Sequence, residues 1–137
     1  MPRFTSAAHT SGDAVVTFEK ANVVHMGDLV FNRMHPYIDR PAGASIASWI
    51  TVIEGTVADH GNDTAYIFGH GSAKFGITGA RADLLYMRDY LTALLEEAGR
   101  VIRPGGIIVL ETINPTSWVA FFESYIRDLT HVRPIHP

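Results

Sequence analysis

The sequence lacks cysteine, a surplus of positive charge and any long apolar run. The absence of Cys from all 137 residues excludes disulfide bonds and thiolate ligands, and it fits a reducing cytoplasm. The formal net charge of −3 argues against a nucleic-acid partner, because the phosphate backbone selects a basic surface. No segment approaches the roughly 20 apolar residues that span a membrane, and the first residues form no apolar signal core. We therefore expect a cytoplasmic protein without a nucleic-acid or membrane partner.

The apolar content sets the expected domain organisation. Hydrophobic residues make up 47% of the chain, and its length suits one domain with a real core. The apolar patterns predict elements in the order β-β-α-β-α-β-α, which is typical of an α/β layered fold with helices on a sheet. We therefore predict a single α/β domain over residues 1–137.

The predicted strands are rich in β-branched or aromatic residues, and each predicted helix carries one apolar stripe. Ser45 is expected to cap the first helix, which would run to about Val57. The longest helical pattern covers residues 80–102 and ends at an Arg-Pro-Gly-Gly stop. The predicted strands lie near residues 14–18, 22–28, 65–68 and 107–110, and a last helix follows Asn114-Pro115.

Three polar side chains with metal-ligand chemistry lie beside predicted strands. The strand within residues 23–31 runs into a Gly turn that presents Asp28, and His9 and His70 lie in Gly-containing turns. Imidazole and carboxylate groups suit Zn²⁺ and related divalent ions. The flanking glycines permit tight turns and close approach of a ligand. These residues indicate a metal site, and the alternative is a set of hydrogen-bonded turn residues.

Five ordered motifs carry a family resemblance; they lie at residues 9–13, 22–32, 36–39, 63–71 and 81–84. On these motifs, residues 6–95 resemble the C-terminal half of a metallo-β-lactamase-fold hydrolase. That family uses one or two zinc ions to activate a water that attacks an ester, thioester or lactam. The resemblance implies that His9 is a ligand of one metal, that Asp28 bridges two metals and that His70 holds the second. It implies no ligand role for His25 or His35.

The same resemblance implies an incomplete site. The leading ligand motif of the family, His-x-His-x-Asp-His, occurs nowhere in the sequence. His9 and His70 would serve different ions, and neither ion would have the three protein ligands that a catalytic zinc usually has. We therefore expect no efficient hydrolysis by a monomer, and the sequence assigns neither a catalytic residue nor a substrate.

The end of the sequence resembles a second family. Residues 100–115, with Arg-Pro-Gly-Gly before a strand that carries Glu-Thr-x-Asn-Pro, and residues 130–134 are similar to the late part of a class I S-adenosylmethionine-dependent methyltransferase. The Gly-rich cofactor turn of that family is absent, so S-adenosylmethionine binding is not expected. The resemblance predicts a metallo-β-lactamase-like part at 1–95 extended by a β-α unit at 96–137.

Three functions follow as hypotheses. The first is a metallo-β-lactamase-like metal-binding half-domain with weak or no hydrolase activity, in which zinc would be held at an incomplete site by His9, Asp28 and His70. The alternative is a non-catalytic α/β scaffold that self-associates, with a homodimer as the expected form. The third is a methyltransferase remnant, which the missing cofactor turn disfavours.

Overall fold

The computed structural model describes residues 2–4, by their backbone, and residues 7–102. The predicted strand at 107–110, the last helix and the methyltransferase-like motifs beyond residue 102 lie outside the described residues. The described elements are β1 (Pro2–Phe4), β2 (Ala14–Phe18), β3 (Val23–His25), β4 (Phe31–Asn32), α1 (Ile46–Asp59), β5 (Ala65–Ile67), β6 (His70–Gly71), β7 (Thr78–Gly79) and α2 (Arg81–Val101), with 3₁₀ turns at Glu19–Ala21 and Gly27–Leu29.

Seven short strands form two sheets in the described part of the chain. The larger sheet has the order β1-β2-β3-β5-β7, and the smaller one pairs β4 with β6. The pairs β3–β5 and β4–β6 are parallel, while the other pairs are antiparallel. Sheets packed with helices confirm the predicted α/β class. The order of the longer elements, β2, β3, α1, β5 and α2, also agrees with the prediction.

The hairpin between β2 and β3 has a local cause at Asn22. This residue adopts the left-handed conformation with φ +51°, which Asn tolerates better than most residues. Its side chain accepts a hydrogen bond from the Thr64 hydroxyl at 2.9 Å and donates to the Asp63 carbonyl at 3.3 Å. The hairpin end is thereby fixed to the start of β5, which runs parallel to β3.

The helix α1 supplies the crossover between the parallel strands. Ser45 caps it as predicted, because its hydroxyl accepts a hydrogen bond from the Ser48 amide. Trp49 is fully buried, and its indole N–H donates to the Leu29 carbonyl at 2.8 Å. Since a buried indole needs a partner, this bond fixes the helix against the segment that follows β3.

One hydrophobic core joins the sheet and both helices. The helices α1 and α2 pack on each other, with Ile53 and Val57 meeting the same cluster as Leu84, Met87 and Leu91. The carboxylate of Asp83 accepts a hydrogen bond from the Ala80 amide at 3.0 Å, which satisfies a free donor where α2 begins. Among the described residues, no helix combines the length and apolarity that a membrane crossing requires.

Candidate metal centre

The turn after β3 presents Asp28. Gly27 takes a positive φ of +51°, and the 3₁₀ turn that it begins carries the Asp28 carboxylate out of the sheet. The Gly27 carbonyl accepts a hydrogen bond from the Gly69 amide at 2.7 Å. This bond ties the turn to the segment between β5 and β6. The carboxylate is 46% exposed, so a ligand from solvent can reach it.

The segment tied to this turn carries His70. The parallel register of β4 and β6 places His70 opposite Phe31, and the two rings stack with centroids 4.4 Å apart and planes 15° apart. His70 Nε2 lies 3.2 Å from Asp28 Oδ1, and its side chain is 47% exposed. Two of the three predicted ligands are therefore neighbours, although one lies in the turn after β3 and the other in β6.

Gly69 is the residue that makes this proximity sterically feasible. A Cβ atom at Gly69 would lie 2.1 Å from Asp28 Oδ1 and 2.8 Å from the Gly27 carbonyl carbon. The first contact could be relieved by rotating the carboxylate, but the second involves backbone and has no such relief. The absence of a side chain at Gly69 thus lets the two segments approach closely.

His9 lies in a different environment. It is 9% exposed, and its ring packs edge-on against Trp49 at 5.4 Å and tilted against Phe31 at 5.7 Å. Its Nδ1 is 3.9 Å from Asp13 Oδ1. Phe31 therefore contacts both predicted imidazole ligands, but His9 is embedded in aromatic packing whereas His70 is half open to solvent.

Asp13 organises the loop that holds His9. Its carboxylate accepts hydrogen bonds from the amides of Ala8 and Thr10 at 3.3 and 2.8 Å, and from the Thr10 hydroxyl at 3.1 Å. The Ala8 carbonyl in turn accepts from the Ser45 amide at 2.9 Å, just before α1. The short polar motif at residues 9–13 is thus a folded loop docked on the start of α1.

The donor set can be compared with what zinc requires. No group of three or more His, Cys, Asp or Glu side chains converges on one point among the described residues. The Asp28–His70 pair supplies two donors, and their 3.2 Å separation suits a shared ion, since two ligands about 2.0–2.1 Å from tetrahedral Zn²⁺ are roughly 3.3 Å apart. The described residues therefore bring two of the three predicted ligands together and leave His9 outside this pair.

The strap, residues 33–35 after β4, lies beside the Asp28–His70 pair and contacts α2. Arg33 has a positive φ of +56°; its guanidinium carbon lies 3.5 Å from the Tyr86 ring centroid, and its Nη2 is 3.5 Å from Asp83 Oδ1. His35 Nδ1 forms a hydrogen bond with the Tyr90 hydroxyl. Burial lowers the pKa of His35 and raises that of Tyr90. The segment that continues from β4 is therefore fastened along α2.

Sequence reasoning missed three residues around this centre. Asn32 is buried and donates to the Gly76 carbonyl at 3.1 Å, which holds the loop after His70. Arg33 forms the strap, and His25 Nδ1 accepts a hydrogen bond from the Gly27 amide at 3.1 Å. Asn32 and His25 belong to the motif at residues 22–32. Neither hydrophobic periodicity nor residue spacing predicts their hydrogen bonds, because each bond depends on a local turn geometry.

Comparison with known proteins identifies the fold. No protein-family model and no curated protein sequence matches the chain. Two similar solved structures are a crystal structure of VMB-1, with a TM-score of 0.53 and 17% identity, and a metallo-β-lactamase from Pontibacter korlensis, with a TM-score of 0.52 and 20% identity. The matches cover 65% and 66% of this chain, but only 38% and 40% of those proteins.

The chain therefore has the fold of part of a metallo-β-lactamase-type domain and spans about two fifths of the length of these structures. At this level of identity the likeness shows the fold alone. It agrees with the predicted half-domain. Nothing in it bears on the methyltransferase-like segment, which stays a prediction.

Proposed function

We propose that this chain is a metallo-β-lactamase-like metal-binding half-domain that holds Zn²⁺ at Asp28 and His70 and has weak or no hydrolase activity. The observation that carries the proposal is the 3.2 Å contact between Asp28 Oδ1 and His70 Nε2, both half exposed. His9 stays in the proposal as a vestigial ligand that would serve a different ion from His70.

The chemistry of the donors supports zinc. A carboxylate and a neutral imidazole are ligands of this ion, and a bound Zn²⁺ supplies Lewis acidity that lowers the pKa of a coordinated water to about 7. Asp28 and His70 would bind and orient the ion, while the exposed side of the pair leaves room for solvent. Two protein ligands are one fewer than catalytic zinc sites usually have, so the proposal expects weak binding and slow chemistry.

Zinc binding tests the proposal directly. Protein purified without chelator is titrated with Zn²⁺ against a chromophoric competitor, and the same titration is run on Asp28→Ala and His70→Ala. We expect the wild type to bind and each variant to lose more than about tenfold in affinity, since each removes a direct ligand. Thermal unfolding should show a Zn²⁺-dependent rise in Tm only in proteins that bind.

The matched control variants replace residues of the same two types that lie away from the Asp28–His70 pair. Asp89→Ala removes an exposed carboxylate of α2, and His35→Ala removes an imidazole on the strap. Both should keep the wild-type zinc affinity within about twofold. Near-zero binding by the wild type, or equal binding by all five proteins, would end the metal hypothesis.

Activity is tested separately from metal binding. Zinc-loaded protein is incubated with a thioester, a lactone and a lactam, and product is measured against free Zn²⁺ at the same concentration. We expect rates close to the free-ion control. A rate that exceeds it and that disappears in His70→Ala would show a working hydrolase and would contradict the weak-activity part of the proposal.

The second candidate function is a self-associating scaffold without catalysis. Several large apolar side chains are more than a third exposed in the described part, among them Met34, Phe75, Ile77 and Tyr86. Exposed apolar surface favours association, and a homodimer is the simplest closed form. Light scattering after size exclusion should give a dimer mass that does not depend on zinc. A monomer at all concentrations would rule this candidate out.

A further inference from the structure

The conformation of the Asp28 turn depends on the two peptide planes that flank Gly27. The plane before Gly27 contains its amide N–H, which donates to His25 Nδ1 at 3.1 Å. The plane after it contains its carbonyl, which accepts from the Gly69 amide at 2.7 Å. The plane before Gly27 also contains the Met26 carbonyl, which accepts from the Leu29 amide at 3.1 Å. Together these three bonds constrain φ and ψ at Gly27 and thereby the position from which Asp28 projects.

The three bonds differ in what supplies them. The Gly69 bond and the Leu29 bond join backbone groups, and the Gly69 bond belongs to the close approach that the missing side chain of Gly69 permits. The bond to His25 comes from a side chain, and it satisfies the Gly27 amide. A substitution at His25 therefore removes the side-chain support of the turn and leaves its two backbone bonds in place.

The role of His25 requires an unprotonated Nδ1. A ring nitrogen accepts a hydrogen bond only through its lone pair, so the tautomer assigned to His25 carries its proton on Nε2. His25 is the last residue of β3 and pairs with Val16 and Ile67 in the sheet, which fixes its backbone on both sides. A rigid strand end thus holds an acceptor against the first amide of the turn.

We propose that His25 is a positioning residue for the metal-binding carboxylate: its Nδ1 holds Gly27 in the positive-φ conformation that aims Asp28 at His70. The inference rests on the proposed zinc site for its functional meaning. His25 itself does not bind the ion. Its place in the motif, three residues before Asp28, is accounted for by this bond rather than by ligation.

The test compares two substitutions at His25. His25→Asn keeps an acceptor at the same distance along the side chain, because Asn Oδ1 replaces His Nδ1, whereas His25→Ala removes it. We expect His25→Ala to weaken zinc binding about tenfold, as loss of an orienting partner of a ligand does. His25→Asn should stay within about threefold of the wild type, since one hydrogen bond of this kind is restored.

A second readout does not need the metal. Amide exchange of Gly27, measured by NMR without zinc, should become at least about tenfold faster in His25→Ala and stay close to the wild-type rate in His25→Asn. This measurement tests the hydrogen bond even if the wild type fails to bind zinc. In that case the proposed function fails, and the structural role of His25 is still decided.

His60→Ala is the matched control for general loss of stability. His60 is also half-buried; it contacts the Thr17 hydroxyl and the Thr56 carbonyl, and neither contact involves the Asp28 turn. It should lower Tm while zinc affinity, measured well below Tm, stays within about twofold. If His25→Ala keeps both the wild-type zinc affinity and the Gly27 exchange rate, the inference is overturned. Equal losses in His25→Ala and His25→Asn would also overturn it.

Discussion

The His9 loop and the Asp28–His70 pair contain the same kinds of side chain and touch the same phenylalanine, yet they differ in almost every physical respect. His9 is nearly buried, and its loop is closed by the Asp13 carboxylate. Asp28 and His70 are half exposed, and they meet because two parallel strand pairs bring their turns together. The first region resembles part of a core, and the second resembles a surface site.

This difference separates packing from ligand binding. A buried imidazole between aromatic rings contributes dispersion and ring–ring contacts whether or not a metal is present. A half-exposed carboxylate beside an imidazole contributes little to stability, because solvent screens the pair. We therefore expect substitutions in the His9 loop to act mainly on unfolding and substitutions in the pair to act mainly on zinc binding.

The largest expected effect comes from adding a side chain at Gly69, where the segment of His70 approaches the Asp28 turn. Gly69→Ala should lower the free energy of unfolding by about 2–3 kcal/mol and abolish the zinc response, because the new Cβ would overlap backbone at Gly27. Chemical denaturation measures the first effect and zinc titration the second. Gly55→Ala is the control, since a Cβ there meets nothing within 4 Å, and it should stabilise α1 by about 0.5–1 kcal/mol. Equal stability of the two variants would show that the close approach is not real.

The next effect tests how the His9 loop is held. Asp13→Ala should cost about 2 kcal/mol in unfolding free energy, because the amides of Ala8 and Thr10 lose a charged acceptor. Asp13→Asn keeps one acceptor oxygen and should cost less. Both variants should keep their zinc affinity within about threefold. A large loss of zinc binding in Asp13→Ala would instead join the loop to the metal site.

A crossed pair of substitutions sharpens the comparison further. His9→Ala should destabilise the fold by about 1–2 kcal/mol through lost contacts with Trp49 and Phe31. His9→Phe, which keeps an aromatic ring, should recover most of this. His70→Ala should change stability by less than about 1 kcal/mol while it removes zinc binding. If His9→Phe reduces zinc affinity as much as His70→Ala does, His9 is a ligand of the same ion.

The smallest expected effect is on pH dependence at the strap. Burial lowers the pKa of His35 from its ordinary value of 6.5, so the fold favours neutral imidazole. This contribution to stability is fully present above pH 6.5 and is lost as the pH falls from 6.5 through the lowered pKa. The drop in stability between pH 7.5 and pH 5.5 should therefore be smaller in His35→Gln than in the wild type. An unchanged drop would assign the pH dependence to other titratable groups.

The sequence predicted the longer elements and singled out Asp28 and His70, but its local patterns did not predict the contact between these two side chains. A β-branched strand followed by Gly-Asp pointed to Asp28, and Gly-His-Gly after a second strand pointed to His70. Their contact depends on a register between distant strands, which no local pattern encodes. The strands β4 and β6 have two residues each, too few for any period to appear.

His9 shows the limit of motif reasoning. Its Gly-containing turn alone favoured a structural role, and the ligand role was implied by the family resemblance. Burial between two rings depends on where α1 places Trp49, which is a tertiary fact. His25 shows the same limit at shorter range, since its bond to Gly27 depends on a positive φ two residues later. Residue types can be read from the sequence, whereas their neighbours need the fold.

The parallel pairing of β3 with β5 and of β4 with β6 has a kinetic consequence. Parallel strands need a crossover, so the contact between Asp28 and His70 joins two segments that are separated along the chain by α1. Contacts between distant segments form late and slow the folding of a chain. An ion that binds this pair therefore meets its ligands only in the native topology. It would leave the folding rate unchanged and slow unfolding, so zinc would act on the lifetime of the native state.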